Sequence, residues 1–242
     1  MEIDEDVNWK KIENIRSSFL SILQYDDSIS FPVGTSNRTS VLISWANAAN
    51  QVALNYIRFF RLIDEFENLH VDDRFILIKH NLISIFPIYQ CFHYKSINNC
   101  EGIINHHQPF MLCNDTTDFH DIFTNLIVSL VDVSEQDPTL LFLLVLILIF
   151  SQILPMNEDK ALLKDSFAVN RAQNHYSKLI WIYLINKRGE VQASKHLIRL
   201  ITVITRLQLG SKRIRHFFHM PTMSSDIVDK IPSLMQSILH LP

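Results

Sequence analysis

The chain has 242 residues, of which 48% are hydrophobic and 19% charged, with 22 basic against 25 acidic side chains and a formal net charge of -3. That length and apolar share suffice for one large core, while only 4 Gly and 8 Pro exclude collagen-like, low-complexity and many-stranded β architectures. The near-neutral balance lacks the basic excess with which nucleic-acid binders neutralise phosphates.

The composition predicts helices. Val7 to Tyr25 places Trp9, Ile12, Ile15, Phe19, Ile22 and Leu23 at helical spacing. Asp26 to Arg38, with Asp26-Asp27, Pro32 and Gly34, reads as a loop. A long helix is expected from Thr39 to about Glu67, its Ala46, Ala48 and Ala49 admitting a close neighbour. Asp72 to Tyr94 follows, where Pro87 should kink or split the helix. Lys95 to Leu112 loses the periodicity. There Asn98-Asn99 and Glu101-Gly102 beside Ile97, Ile103 and Ile104 suggest one small β-hairpin.

Thr117 to Val133 is helical again, and Asp137-Pro138-Thr139 is a good helix start with Pro in the first turn. The run from Leu140 to Phe150 is apolar without interruption. A bilayer-spanning helix needs about 20 such residues, so this run reads as a core helix wrapped on every side, and no membrane is expected. Helices from about Asp159 to Lys187 and from Glu190 to about Phe218 are separated by Arg188-Gly189, and a last amphipathic stretch, Ser224 to Leu241, is split by Pro232. The basic cluster Lys212-Arg213-Ile214-Arg215-His216 reads as a solvated helix face. No repeat and no long linker appears, so one helical domain is expected.

Chemistry-bearing motifs are scarce. Cys91, Cys100 and Cys113 form no even disulfide framework, which fits a reducing compartment, and the acidic start MEIDEDVNWKK is unlike a secretory leader. Cys100, His106, His107 and Cys113 lie near one another, but their spacing does not match the chelating pairs of structural zinc motifs. With no GxSxG, HExxH or phosphate-cradling glycine loop, neither catalysis nor a metal or cofactor is expected.

One segment is more specific. Phe66-x-x-Leu69-x-x-Asp72-Asp73-Arg74-Phe75-x-Leu77-Ile78-Lys79 resembles the most diagnostic stretch of nuclear receptor ligand-binding domains, with Arg74 where the family usually has Gln. Ala46 to Gln51, Lys95-Ser96-Ile97, Glu101-Gly102-Ile103, Asp137-x-Thr139 with the apolar run, Arg199 to Leu209 and Leu234 to Leu239 are similar, in order and spacing, to successive pieces of that domain. The likeness is greatest to the retinoid X receptor and hepatocyte nuclear factor group. It is strongest over residues 39–242.

The resemblance implies an all-α fold: a three-layer antiparallel α-helical sandwich with one small β-hairpin, forming a single domain over residues 1–242. It implies an apolar pocket for a small lipophilic, fatty-acid-like ligand, with Trp45, Ala48, Ala49, Val52, Phe86 and Tyr89 as wall candidates. The family's ligand-anchoring base falls on His93 when counted forward from Lys79 and on Lys95 when counted back from Glu101. A co-regulator groove for an LxxLL helix is implied at Arg61 and Lys79 together with Leu234, Met235, Ser237 and Ile238 of the final helix.

In the family a glutamate stands at the Ser237 position, where it meets the N-terminus of the co-regulator helix. A serine there weakens that end by ~0.3–1 kcal/mol. Arg199, Val203 and Arg206 lie on the implied dimerisation helix, which would pair with a second copy or another nuclear receptor. The family's separate DNA-binding domain needs eight cysteines, and this chain has 3. The expected role is therefore a ligand-responsive transcription regulator in the nucleus, and also the cytoplasm, with no direct nucleic-acid contact. The alternative is a dimerisation and repressor module of the same fold, its pocket filled by residues such as Trp45.

Overall fold

The computed structural model describes residues 5–22, 38–98, 117–151, 163–219 and 225–241, and every regular element among them is an α-helix. In chain order these are α1 (Glu5–Ile22), α2 (Arg38–Phe60), α3 (Asp64–Glu67), α4 (Val71–Asn98) and α5 (Thr117–Ser134). Then follow α6 (Pro138–Ile149), α7 (Ser166–Arg188), α8 (Glu190–Phe218), α9 (Ser225–Val228) and α10 (Ser233–Leu239).

The centre is built on α6 and α4. Every residue of α6 from Leu140 to Ile149 is buried, as the unbroken apolar run requires. Asp137 starts this helix from an extended backbone, its carboxylate accepting from the amides of Thr139 (2.9 Å) and Leu140 (3.3 Å), with Pro138 in the first turn. Residues 81–89 of α4 are likewise all buried. Asn81 joins the two helices by donating from Nδ2 to the carbonyls of Ile149 (3.0 Å), the last residue of α6, and Ser151 (2.9 Å), just beyond it. Around this pair lie α1, α2, α5, α7, α8 and α10, each touching α4, α6 or both. Phe19 pins α1 with ring contacts to Phe59 of α2 (5.2 Å) and Phe142 of α6 (6.1 Å).

Several boundaries differ from the sequence expectation. The helix expected from Thr39 to Glu67 stops at Phe60. There the amides of Leu62 and Ile63 turn back to the carbonyls of Phe59 and Phe60, both at 3.0 Å, before α3 begins. Pro87 sits inside α4 without splitting it. Because α4 continues through Asn98, Lys95 to Asn98 is helix and not the start of a hairpin. The remainder of the expected hairpin, residues 99–112, lies outside the described residues, as do Cys100, His106, His107 and Cys113. The seventh helix begins at Ser166, after a turn at Lys164-Asp165, not at Asp159. Val71–Phe92 is long and apolar enough to cross a membrane by length and composition, yet most of it is buried against the other helices.

Two glycines have evident jobs. Gly189 ends α7 and opens α8 at φ +73°, a backbone conformation that side chains resist. Gly210 lets α8 approach α5, since a Cβ there would stand 2.6 Å from Cδ1 of Leu126. The paired acids Asp72 and Asp73 also divide their work. Asp73 is fully buried and accepts from the amides of Lys164 (2.7 Å) and Asp165 (2.9 Å), fixing the start of α7 beside the start of α4. Asp72 faces outward and pairs with Lys164 Nζ at 2.7 Å.

Candidate functional site

The last helix, α10, rests on α2 and α4. Its Met235, Ile238 and Leu239 are fully buried, while Leu234 and Ser237 are half-buried, as expected of a short amphipathic helix seated by one face. Ser237 Oγ donates to the Ser233 carbonyl at 3.1 Å. Gln236 Nε2 donates to the carbonyls of Val228 (2.9 Å) and Ile231 (2.8 Å), so the connection from α9 is tied to the helix it leads into. At the far end His240 adopts the left-handed conformation at φ +60°. The amides of His240 and Leu241 then return to Ser237 and Gln236 in a Schellman pattern, which satisfies carbonyls the helix would leave unpaired.

A buried cation holds this seat. Arg215 of α8, only 4% exposed, donates from Nε to the Ile238 carbonyl (3.1 Å). Its Nη2 donates to the carbonyls of Lys79 (3.1 Å) and His80 (2.7 Å) on α4. One guanidinium thus bridges the end of α10 to the middle of α4. Burial pushes its pKa down to about 10, which leaves it charged at neutral pH. The rings of His80 and His240 meet edge to face at 4.8 Å beside it. Burial, with Arg215 and Lys79 nearby, lowers His80 to about 4 and His240 to about 3, so both are neutral at pH 7. His219 completes the group with Nε2 3.1 Å from the Leu239 carbonyl.

The helix α4, on which α10 rests, also carries exposed apolar side chains. Val71, Phe75 and Lys79 succeed one another at i, i+4 and i+8 along one face of α4. Val71 is 60% and Phe75 50% exposed, unusual for side chains of that size. Leu62 and Arg61, just past the end of α2, are exposed as well, the Arg61 side chain at 69%. Glu67 lies between two cations, 2.7 Å from Arg74 Nη1 and 3.9 Å from Arg61 Nε.

The pocket-wall candidates Trp45, Ala48, Ala49, Val52, Phe86 and Tyr89 are all buried on the facing sides of α2 and α4. Trp45 packs its ring against Phe86 (6.2 Å) and Phe218 of α8 (5.3 Å), which places aromatic mass where three helices converge. His93 and Lys95 fall on the last turns of α4, and their side chains lie outside the described residues. Cys91 is a buried thiol pushed up to about 11 by that burial, so it stays protonated at neutral pH.

The dimerisation candidates separate. Arg199 reaches Asp132 of α5 at 2.6 Å, and Arg206 Nη1 reaches Ser129 Oγ at 3.4 Å, so both tie α8 to α5 within the chain. Val203 is buried and belongs to the core, not to an outward face. The exposed large apolar residues of that helix are instead Val191, Ile198, Ile201 and Leu209. The basic cluster needs correction too, because Arg215 and Ile214 within it are buried.

Sequence reasoning missed Phe75, Val71 and Leu62 as surface residues and Arg215 as the bridge. Spacing from Lys79 was sufficient to find the first two, whereas nothing in the local sequence marks Arg215 as buried. No known protein family matches this chain, and no curated protein does.

Proposed function

We propose that the chain is a transcription regulator built as a nuclear-receptor-type ligand-binding domain, acting in the nucleus through a co-regulator helix bound at its surface. The observations that carry this reading are the exposed Val71 and Phe75 in line with Lys79 on α4, the helix on which α10 rests, and the exposed Arg61 at the end of α2. An amphipathic LxxLL helix presents apolar side chains at i, i+3 and i+4 and ends in unpaired carbonyls. Phe75 and Val71 offer the apolar contact, and the two cations suit the negative end of the incoming helix. The described elements are all helices with the buried α4 and α6 at their centre, which supports the three-layer sandwich of that family.

The test is a fluorescence-polarisation titration with LxxLL peptides. Phe75→Asp is expected to abolish binding and Arg61→Glu to weaken it several-fold. Binding that ignores Phe75→Asp would sink the assignment.

A second observation bears on the ligand. The Trp45, Phe86 and Phe218 contact favours the packed-interior form of the domain, which would bind its partner without a lipophilic molecule. Under that form, homo- or heterodimerisation through α8 and partner capture are the outputs. Native mass spectrometry decides between the forms, since a stoichiometric extractable lipid would establish the ligand-bound one.

A further inference from the structure

A cleft of about 430 Å³ opens on the outer surface between α5 and α8. That volume lies within the range of small-molecule sites. One wall comes from α8, where Arg206 and Arg213 stand two turns apart, about 10 Å along the axis. Leu209 and Gly210 form the wall between them, and Leu209 is 50% exposed. The other wall comes from α5, where Asn125 and Ser129 lie one turn apart. Leu126 closes the floor against Gly210, where a Cβ would stand only 2.6 Å from Leu126 Cδ1.

The charge of this cleft is one-sided. No carboxylate is among its described lining residues. Arg206 makes one long contact to Ser129 at 3.4 Å, and among the described residues Arg213 forms no ion pair. Two guanidinium groups therefore keep most of their donors unspent over a short apolar strip. Guanidinium forks match carboxylate and phosphate oxygens bidentately, and the amide of Asn125 and hydroxyl of Ser129 add neutral donors opposite them. Leu126 and Leu209 supply an apolar contact too small for a long chain.

We propose that this cleft is a binding site for a small anionic amphiphile, a carboxylate or phosphate monoester carrying a short apolar chain. The oxyanion sits between Arg206 and Arg213, and the chain lies over Leu209. The site shares no residue with the co-regulator face or the aromatic interior, so its failure and the failure of the co-regulator reading are distinguishable.

The experiment is isothermal titration of the full chain with octyl phosphate, octanoate and inorganic phosphate, with amide chemical shifts followed at Ser129 and Gly210. Saturable binding of octyl phosphate or octanoate is expected, with both shifts moving. The double variant Arg206→Gln with Arg213→Gln should raise the dissociation constant about ten-fold or more, by loss of two charge-assisted contacts. The single variant Arg213→Gln, at an exposed side chain without an ion partner among the described residues, keeps the test available if the double variant fails to fold. Which of the two amphiphiles binds more tightly tells phosphate from carboxylate chemistry. Inorganic phosphate binding as tightly as octyl phosphate would overturn the amphiphile assignment. No saturable binding, or binding of octanoate indifferent to both arginine variants, would overturn the site itself.

Discussion

Arg215 Nε donates to the Ile238 carbonyl at 3.1 Å, so the last turn of the C-terminal helix is held by a cation from α8. The position is physically apt. The end of a helix carries partial negative charge and unpaired carbonyls, and a buried arginine is tolerated only where such acceptors surround it. The same guanidinium also reaches the Lys79 and His80 carbonyls, so docking of α10 and the register of α4 are one event.

Replacing Arg215 by Met keeps the bulk and removes the bridge. Loss of three charge-assisted contacts should cost about 2–4 kcal/mol in stability. The effect should concentrate on Ser233–Leu239, where hydrogen exchange by mass spectrometry should show faster exchange than in the rest of the chain. Unchanged protection there would mean that side-chain packing of Met235, Ile238 and Leu239 alone seats the helix.

The histidines beside Arg215 make the docked state sensitive to acid. Their folded pKa values, about 4 for His80 and about 3 for His240, lie below the unfolded value near 6.5. Between those values the unfolded chain binds more protons than the folded one. Stability from these groups is therefore complete above pH 6.5 and declines as pH falls toward 4. Urea titrations from pH 7 to 4.5 should show this decline. A double variant, His80→Asn with His240→Asn, should flatten it, and an unchanged slope would reject the pair as its source.

In the proposed co-regulator site, Ser237 takes the position at which a glutamate would complete the charge pair. Among the described residues its hydroxyl bonds only to the Ser233 carbonyl within its own helix. Ser237→Glu adds a carboxylate near the incoming helix N-terminus, worth about 0.3–1 kcal/mol, or roughly two- to five-fold in affinity. A polarisation titration that finds no gain removes the clamp argument.

Asp137 offers a test of the core rather than the surface. It caps α6 and also accepts from Tyr183 OH at 2.5 Å and from Lys187. Burial pushes its carboxyl up, yet Lys187, Tyr183 and the Leu140 amide outweigh that and hold it below the usual carboxylate value. Asp137→Ala should cost about 2–4 kcal/mol, the cap together with stranded partners. Lys187→Met, at a more exposed side chain, should cost less. Equal losses in thermal melts would show that the ion pair and not the cap matters.

How far the sequence spoke depends on what each feature rests on. The run from Leu140 to Phe150 declares itself because a helix apolar all round can only be central, and Asp137-Pro138 carries its start signal locally. Gly189 was equally plain as a break. The stop at Phe60 was not, since Phe60-Arg61-Leu62-Ile63 contains neither Gly nor Pro and only tertiary packing turns the chain there. Arg215 looked solvated because it belongs to the short basic cluster Lys212 to His216, of which Arg213 and His216 are exposed, and helical phase, not composition, turns it inward. Asp72 and Asp73 look alike in the sequence and differ completely in burial, because only Asp73 faces the amides that open α7.

Trp45 decides whether the interior is filled by protein or by a ligand. It is 4% exposed and wedged against Phe86 and Phe218. Trp45→Ala should cost about 3–5 kcal/mol, the lost transfer energy together with the cavity left behind. If the aromatic cluster is what fills the interior, that cavity will be apolar and dry, and a molecule such as indole should enter it. Millimolar indole should then raise the melting temperature of the variant and leave the wild type unmoved. A wild-type chain that copurifies with a stoichiometric lipid would overturn the packed interior. So would a variant that indole fails to rescue although its far-ultraviolet circular dichroism shows it folded, because its site would have been occupied already.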